Sequence, residues 1–418
     1  EGKVHMKKLG YFFFALIFNI SRLFPVKEKK VVLFNGHNHG LNGNLKEIKD
    51  GIERRSDAYF FILLAKHDRN GNGMGAKIAA LFRFFFVFPY HMATAAYIFL
   101  NDNFLPFGYC IPSKKTKIIQ LWHGAGAFKK FGLSVEADEK VRHQVEKANT
   151  RVTHLFVTSK QVVPIYEEAF AIPKERIYAT GIPIMDVYDR EKTKQECIQN
   201  FYAVYPNLKG KKLLLYTPTF RKTDQENQDI MKHFPVERLK ETLGKDWAIG
   251  IKMHPKYPAD NIPEDEFCLN LTEYPQIIDL FFASDILVTD YSSTVVEYAL
   301  LGKPIIMYAY DLQEYDRGFY FEYESKVPGI VAKTEEELLQ AITGAGKEYS
   351  KREAFVQMEY GRADVYDTND AETVEAAEWC MDEQNNEDHE KQSAYDDIAD
   401  GCTERILDCL AICKEETH

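Results

Sequence analysis

The stretch LWHGAGAFKKFG, Leu121 to Gly132, sets a histidine directly after an apolar run and follows it with glycines and two lysines. A histidine at the end of a strand can be aimed at a ligand, and an imidazole that titrates near neutrality can take a proton from a hydroxyl. In this reading His123 faces a hydroxyl to be activated, Gly124 and Gly126 let that group come close, and Lys129 and Lys130 meet phosphates or a membrane. A second histidine ends the run in IKMHPKYP: Pro255 sets the turn, His254 points outward, and Lys252 and Lys256 flank it with positive charge. Such a group can donate to a phosphate or offset charge on a leaving group, although an HP pair alone also suits a structural loop.

Three further stretches carry polar groups at strand ends. In VTDYSSTVVEYALLGKPIIMY a strand runs into Ser292, Ser293 and Thr294 at the start of a helical pattern. Consecutive hydroxyls there serve either as plain helix caps or as an anion site with the first helical N–H groups. LYTPTFRK puts Thr217, Thr219 and Arg221 past another strand, where an arginine pairs with phosphate or with a carboxylate across a domain boundary. YAYDLQEYDRGFYFEY sets Asp311, Glu314 and Arg317 among tyrosines, which suits a small polyol, or simply a packed loop. Phosphate-loop, dinucleotide-fingerprint, nucleophile-elbow and HExxH patterns are absent, and no acidic cluster is spaced for a divalent metal. Neither a metal nor a cofactor is expected.

Elements that could position these groups alternate along the chain. Apolar, β-branched runs such as KKVVLFNG, YFFILLAK, KIIQLWHG, THLFVTSK and RIYATGIP come first, and KKLLLYTP, WAIGIKMHP, SDILVTDYSS, KPIIMYAY and GIVAK follow Pro206. Each is separated from the next by a helical period, which predicts two doubly wound α/β domains with ligands beyond the carboxyl ends of their strands. At 418 residues the chain exceeds one core, in keeping with two domains whose polar strand ends face a shared cleft. The seven cysteines lack CxxC pairing and read as reduced thiols.

Charge is polarised. Residues 1–134 hold 20 Lys and Arg against 8 Asp and Glu, within a chain of net charge −11, and residues 361–418 hold 4 basic against 18 acidic side chains. A basic, aromatic-rich first third points to an anionic membrane surface and away from nucleic acid. YFFFALIFNISRLF (Tyr11 to Phe24) is too short to span and is read as lying in the interface, flanked by lysines. LFRFFFVFPYHMATAAYIFL (Leu81 to Leu100) is long enough to span but is broken by Arg83, Pro89 and His91; it too is read as lying in the interface, except that its Ala93–Leu100 part suits the core of the first domain.

In this order, LWHGAGAFKKFG, TGIPIMD, LYTPTFRK, IKMHP, SDILVTDYSSTVVEYALLGKPIIMYAYD and RGFYFEYESKVPG resemble the CDP-glycerol:glycerophosphotransferases of teichoic acid synthesis in Gram-positive bacteria. The resemblance implies a GT-B fold and peripheral, monotopic attachment to the cytoplasmic face of the cell membrane. It implies transfer of glycerol phosphate, or a similar polyol phosphate, from CDP-glycerol or CDP-ribitol to a lipid-linked, undecaprenyl-type acceptor, with release of CMP. By that resemblance His123 is the general base and His254 contacts the donor pyrophosphate. Ser292, Ser293 and Thr294 by the same resemblance serve the donor phosphates, Glu297 the nucleotide, and Asp311 and Arg317 the polyol; Thr219, Arg221 and Lys252 join the donor site on the reading of their strand-end positions alone. Ile184 stands where such chains often carry arginine.

The domains expected are a membrane-associating segment at 6–30, an acceptor-side domain at 31–186, a linker at 187–210, a donor domain at 211–345, and C-terminal helices at 346–418 with an acidic insertion at 363–395. Two rival functions share parts of this pattern: a GT-B transferase using a UDP-sugar, and a catalytically inactive membrane scaffold of wall-polymer assembly.

Overall fold

The computed structural model describes residues 2–36, 40–65, 73–254, 261–315, 317–344, 350–361 and 401–412, with side chains described from residue 8 onward. The chain divides into two compact units, 1–186 together with 385–418, and 187–384. Each is described by itself.

The first unit is a six-stranded parallel sheet of β1 (Lys27–Asn35), β2 (Phe60–Ala65), β3 (Ala95–Leu100), β4 (Lys117–Gln120), β5 (His154–Phe156) and β6 (Ile177–Tyr178), in the order β2-β1-β3-β4-β5-β6. Continuous apolar runs suit such strands because helices cover both faces. Val31 to Phe34 are buried, with Val31 level with Phe61 on one side and Tyr97 on the other. Helix α2 (Gly43–Arg55) repeats apolar residues at helical spacing, and its Leu45, Ile48 and Ile52 join Val31, Leu33 and Phe99 in the core.

The helix Cys402–Cys409 also belongs to this unit, giving Ile406 and Leu407 to the same core beside Leu410 and Ile412. The Asp186 carboxylate caps it, accepting the N–H groups of Cys402 at 2.6 Å and Thr403 at 2.8 Å. Arg55 ties its far side down, reaching Glu404 at 2.7 Å, Asp408 at 2.9 Å and the Ile412 carbonyl at 3.0 Å.

The second unit holds β7 (Lys212–Thr217), β8 (Trp247–Ile251), β9 (Cys268–Asn270), β10 (Ile286–Thr289), β11 (Ile305–Tyr308) and β12 (Ile330–Ala332), again all parallel, in the order β12-β11-β10-β7-β8-β9. Read from β9, that is the Rossmann order 3-2-1-4-5-6 within the unit. The sheets reverse their winding between β1 and β3 in the first unit and between β7 and β10 in the second. Ligands of open α/β sheets bind beyond the strand ends at such points.

Two boundaries differ from expectation. The stretch 187–210 is built into the second unit: its helix Glu191–Val204 buries Cys197 and Phe201 and packs on the helix Ile277–Ala283. The segment 346–418 is split. The helix Ser350–Tyr360 lies in the second unit, where the Tyr360 hydroxyl donates to the Val296 carbonyl at 2.9 Å, and Cys402–Cys409 lies in the first. The acidic insertion at 363–395 falls outside the described residues.

Candidate functional site

In the first unit β4 ends at Gln120, and the chain turns sharply through Trp122, a non-glycine residue at φ +58°. That left-handed backbone costs on the order of 1–3 kcal/mol and needs surroundings that impose it. Both peptide groups of Trp122 are held by buried amides: its N–H donates to Gln120 Oε1 at 2.9 Å, and its carbonyl accepts Asn44 Nδ2 at 3.3 Å. Its ring lies half-buried, edge-on to Phe170 at 4.9 Å and stacked on Phe131 at 5.8 Å.

His123 follows, exposed, with its ring 4.0 Å from that of Trp122. Its Nδ1 lies 3.0 Å from the Asn101 carbonyl. A carbonyl only accepts, so Nδ1 carries a proton, and in the neutral ring the lone pair is then on Nε2. Gly124 borders the Trp122 ring, where an added Cβ would make an ordinary 3.8 Å contact. Gly126 takes φ +62°, which favours glycine, and its carbonyl accepts the Tyr166 hydroxyl at 2.9 Å. Lys129 is half-buried and Lys130 exposed.

In the second unit the hydroxyl residues gather at the β7/β10 reversal. Thr289 Oγ1 donates to the Thr217 carbonyl at 2.7 Å, Thr217 Oγ1 lies 3.1 Å from Thr294 Oγ1, and Thr294 Oγ1 donates to Ser292 Oγ at 3.0 Å. Ser292 Oγ also accepts the Thr294 N–H at 3.4 Å, so its own proton points away from Thr294. Ser293 takes the N-cap position of the helix Thr294–Tyr298, is exposed, and makes no capping bond with its side chain. The Thr219 hydroxyl is buried and finds no hydrogen-bond partner among the described residues. His254 is exposed past β8, with its ring edge-on to Phe220 at 5.1 Å. Arg317 is exposed as well.

Three expected ligand residues are placed otherwise. Arg221 is 10% exposed and spends its guanidinium on Asp311 at 2.6 and 3.0 Å, on Asp290 at 3.0 Å and on the Thr219 carbonyl. It makes the salt bridge that was its alternative role, but inside one unit. Burial opposes its charge, and Asp290 and Asp311 more than offset that, so its pKa is raised. Asp311 is taken up by the same cluster, accepting the Tyr291 hydroxyl at 2.9 Å in addition to Arg221. Lys252 turns its ammonium onto the carbonyls of Leu271, Thr272 and Tyr274 at 3.2, 3.1 and 2.8 Å. Those are as many acceptors as an ammonium has protons. Lys252 thus secures the loop after β9, and burial pushes its pKa down.

Glu297 accepts the Tyr188 hydroxyl. Burial raises its pKa and the Tyr188 bond opposes that rise.

Several residues that organise the site had drawn no attention in the sequence. Asp290, fully buried, accepts the Thr219 N–H at 2.8 Å, its neighbour Tyr291 N–H and Arg221, binding the loops after β7 and β10 together. In the first unit the amides of Asn35, Asn44, Asn101 and Gln120 frame the His123 turn; Asn35 and Gln120 end strands, Asn101 follows one and Asn44 lies in the first turn of a helix, so that three of the four are visible as a polar residue closing an apolar run. Ile184 donates its N–H to Asn44 Oδ1 at 2.9 Å, so the Asn44 amide joins the 180s loop to the Trp122 turn. Among the described residues no group of three or more His, Cys, Asp or Glu could hold a metal ion.

The first unit also bears an apolar surface. Helix α1 (Gly2–Ser21) buries Phe14 and Phe18 but exposes Leu9, Phe12, Leu16 and Ile20, one face at helical spacing. Helix α3 (Met74–Phe82) exposes Met74, Ile78, Leu81 and Phe82, and Phe13 joins the two stripes through Phe85 at 5.3 Å and Phe86 at 5.9 Å. Lys8, Lys77 and Arg83 are exposed on these same segments. No helix among the described residues is long and apolar enough to cross a membrane. Of the second aromatic stretch only the first part is exposed; β3 runs through the middle of the sheet.

Comparison with known proteins places these features in a family. Residues 16–374 match the family described as CDP-glycerol:poly(glycerophosphate) glycerophosphotransferase. The teichoic acid ribitol-phosphate primase of Bacillus spizizenii is 33% identical over 81% of this chain and 88% of that protein. The teichoic acid poly(ribitol-phosphate) polymerase of the same organism is 30% identical over 85% of this chain, which spans only 57% of that protein's length. The teichoic acid glycerol-phosphate primase of Bacillus subtilis is 33% identical over 61% of this chain and 68% of that protein. Among solved structures, the wall teichoic acid polymerase TagF, in a form soaked with CDPG, has TM-score 0.67 and 21% identity over 87% of this chain and 93% of that one. That likeness establishes the GT-B fold for the two Rossmann-like units.

Proposed function

The chain belongs to the CDP-glycerol:poly(glycerophosphate) glycerophosphotransferase family, and from that premise we propose that it moves a polyol phosphate from a CDP-activated polyol to a hydroxyl of a lipid-linked acceptor, releasing CMP. The acceptor oxygen attacks the phosphorus that carries the polyol, and the bond from that phosphorus to the bridging oxygen breaks. CMP leaves with the bond's electron pair, and the hydroxyl proton passes to His123 Nε2. Charge in such a transfer spreads over nonbridging oxygens, so positioning and electrostatics carry most of the catalysis. The observation that carries the reading is the His123 geometry: Nδ1 engaged by a carbonyl and Nε2 left as the basic atom. Ser292 supports the donor half, its proton directed away from Thr294, with Ser293 exposed beside it and His254 for the leaving CMP. Arg317 remains a candidate for the polyol end; Arg221, Asp311 and Lys252 act in this reading by holding loops.

The membrane part of the proposal rests on the apolar stripes of α1 and α3 with their basic neighbours, the pattern of a helix lying in an anionic interface. Peripheral attachment then brings the enzyme to a lipid-linked acceptor.

The test is CMP release from CDP-glycerol and from CDP-ribitol, with and without a short lipid-linked acceptor, beside a UDP-sugar control. His123→Ala is expected to lower transfer by about 10²–10⁴-fold while leaving donor binding intact, and His254→Ala to lower it as well. Turnover of the UDP-sugar with neither CDP-polyol consumed would sink the reading. Attachment is tested on liposomes containing anionic lipid. Leu9→Glu, Phe12→Glu and Leu16→Glu together leave Phe14 and Phe18 in the core and should release the protein; undiminished binding would refute attachment through α1.

A further inference from the structure

We infer that Asn101 is a positioning residue for His123, acting through a frame of buried amides that fixes which imidazole nitrogen is basic. The inference deepens the proposed reaction and rests on the reading of His123 as its base. Asn101 stands one residue past β3, and its own backbone carbonyl is the group that accepts from His123 Nδ1 at 3.0 Å. The side chain of the same residue is tied at both its oxygen and its nitrogen, which helps to hold that carbonyl in place. Asn101 Oδ1 accepts the Gly36 N–H at 2.9 Å, and Asn101 Nδ2 donates to Asn35 Oδ1 at 3.0 Å. Asn35 in turn donates through Nδ2 to the Gly40 carbonyl at 2.8 Å. Asn35 is 0% and Asn101 5% exposed, so neither can replace these bonds with water. The two amides join the ends of β1 and β3 at the point where the sheet reverses its winding.

The imidazole is thus fixed from two sides. Gln120 and Asn44 hold Trp122 in its left-handed turn, which sets where the His123 backbone leaves the strand. Asn101 sets the direction in which Nδ1–H must point. A neutral carbonyl selects the tautomer without adding a negative charge that would favour imidazolium.

The full-length protein is assayed for transfer across pH, comparing wild type with Asn101→Asp. The substitution keeps an acceptor for Gly36, deletes the donor to Asn35, and introduces a carboxylate in the residue that holds the imidazole. We expect kcat to fall roughly ten- to a hundredfold, the acid limb of the pH–rate profile to move to higher pH because the carboxylate favours the protonated ring, and KM for the donor to stay within about twofold, since its binding residues are elsewhere. A purely structural defect would lower the rate without moving the limb. Nitrogen-15 NMR of histidine-labelled wild-type protein, with the His123 signal assigned by its loss in His123→Ala, should report the Nδ1–H tautomer. It needs no folded variant at position 101. Wild-type rate and pH profile in Asn101→Asp, or the Nε2–H tautomer in the unsubstituted protein, overturns the inference. If His123→Ala retains full transfer while His123 is found as Nδ1–H, the base reading falls and the positioning inference stands.

Discussion

The two sheets reverse their winding at one place each, and the two places are finished with different chemistry. Between β1 and β3 the strand ends are closed by neutral amides, Asn35 and Asn101, with Gln120 and Asn44 beside them. Between β7 and β10 they are closed by hydroxyls and by a buried ion cluster, in which Arg221 meets Asp290 and Asp311. An amide frame imposes direction without charge, which suits a group that must exchange a proton. At the other reversal Ser292 and Ser293 are the hydroxyls proposed to offer protons to an anionic ligand, while Arg221 sets its one positive charge against two carboxylates. The difference follows the division of labour proposed for the two units.

The largest effect is expected at Arg221. Arg221→Ala would strand two carboxylates, one of them fully buried, and loss of one partner from a buried pair typically costs about 3–5 kcal/mol. Hydrogen exchange should then accelerate in β7 and β10 and leave β1 and β3 unchanged; equal protection in variant and wild type would show that the cluster does not brace the second unit. In the first unit, Gln120→Met removes the acceptor of the Trp122 N–H without changing side-chain length greatly. The cost expected is about 1–3 kcal/mol, read as faster exchange in β3 and β4, accompanied by a loss of transfer larger than that small destabilisation explains. A destabilised but fully active protein would separate the amide frame from catalysis.

The smallest effect is expected at Glu297. Burial raises its pKa, so the folded state retains a proton that the unfolded chain has released. Stability contributed by that group is present at low pH and is lost as pH climbs from the ordinary carboxylate value toward the raised one. Glu297→Gln keeps an acceptor for Tyr188 and abolishes the titration. Urea unfolding at pH 4 and pH 7, followed in β10, should show the variant gaining on wild type as pH rises; a constant difference would remove Glu297 from the account.

Much of the architecture was legible in the sequence because buried parallel strands announce themselves as apolar runs ending in Gly, Pro, Ser or Thr. β9 escaped notice because no β-branched residue marks Cys268–Asn270, and β3 was partly hidden within an aromatic stretch that begins on the surface. His123, His254 and the Ser292 group were legible as strand-end residues. Arg221 was legible as a salt-bridge arginine but with its partner expected across a domain boundary, and the roles of Asp311 and Lys252 were not legible, because composition beside a strand end suggests a ligand whereas their partners come from distant loops. Asp311 lies 90 residues from Arg221 in sequence. Asp290 was overlooked within a motif whose hydroxyls drew attention, yet its carboxylate holds two loops in register.

The clasp at Asp186 has a consequence for how the chain matures. The last residue of the first unit's leading segment grips the amide nitrogens of a helix more than two hundred positions later. During synthesis the second unit can therefore be complete while its predecessor still lacks Ile406, Leu407, Leu410 and Ile412 from its interior. The amino-terminal half must wait, unfinished, until residues 401–412 have been made, and a premature stop anywhere before residue 401 would damage the part of the protein made first.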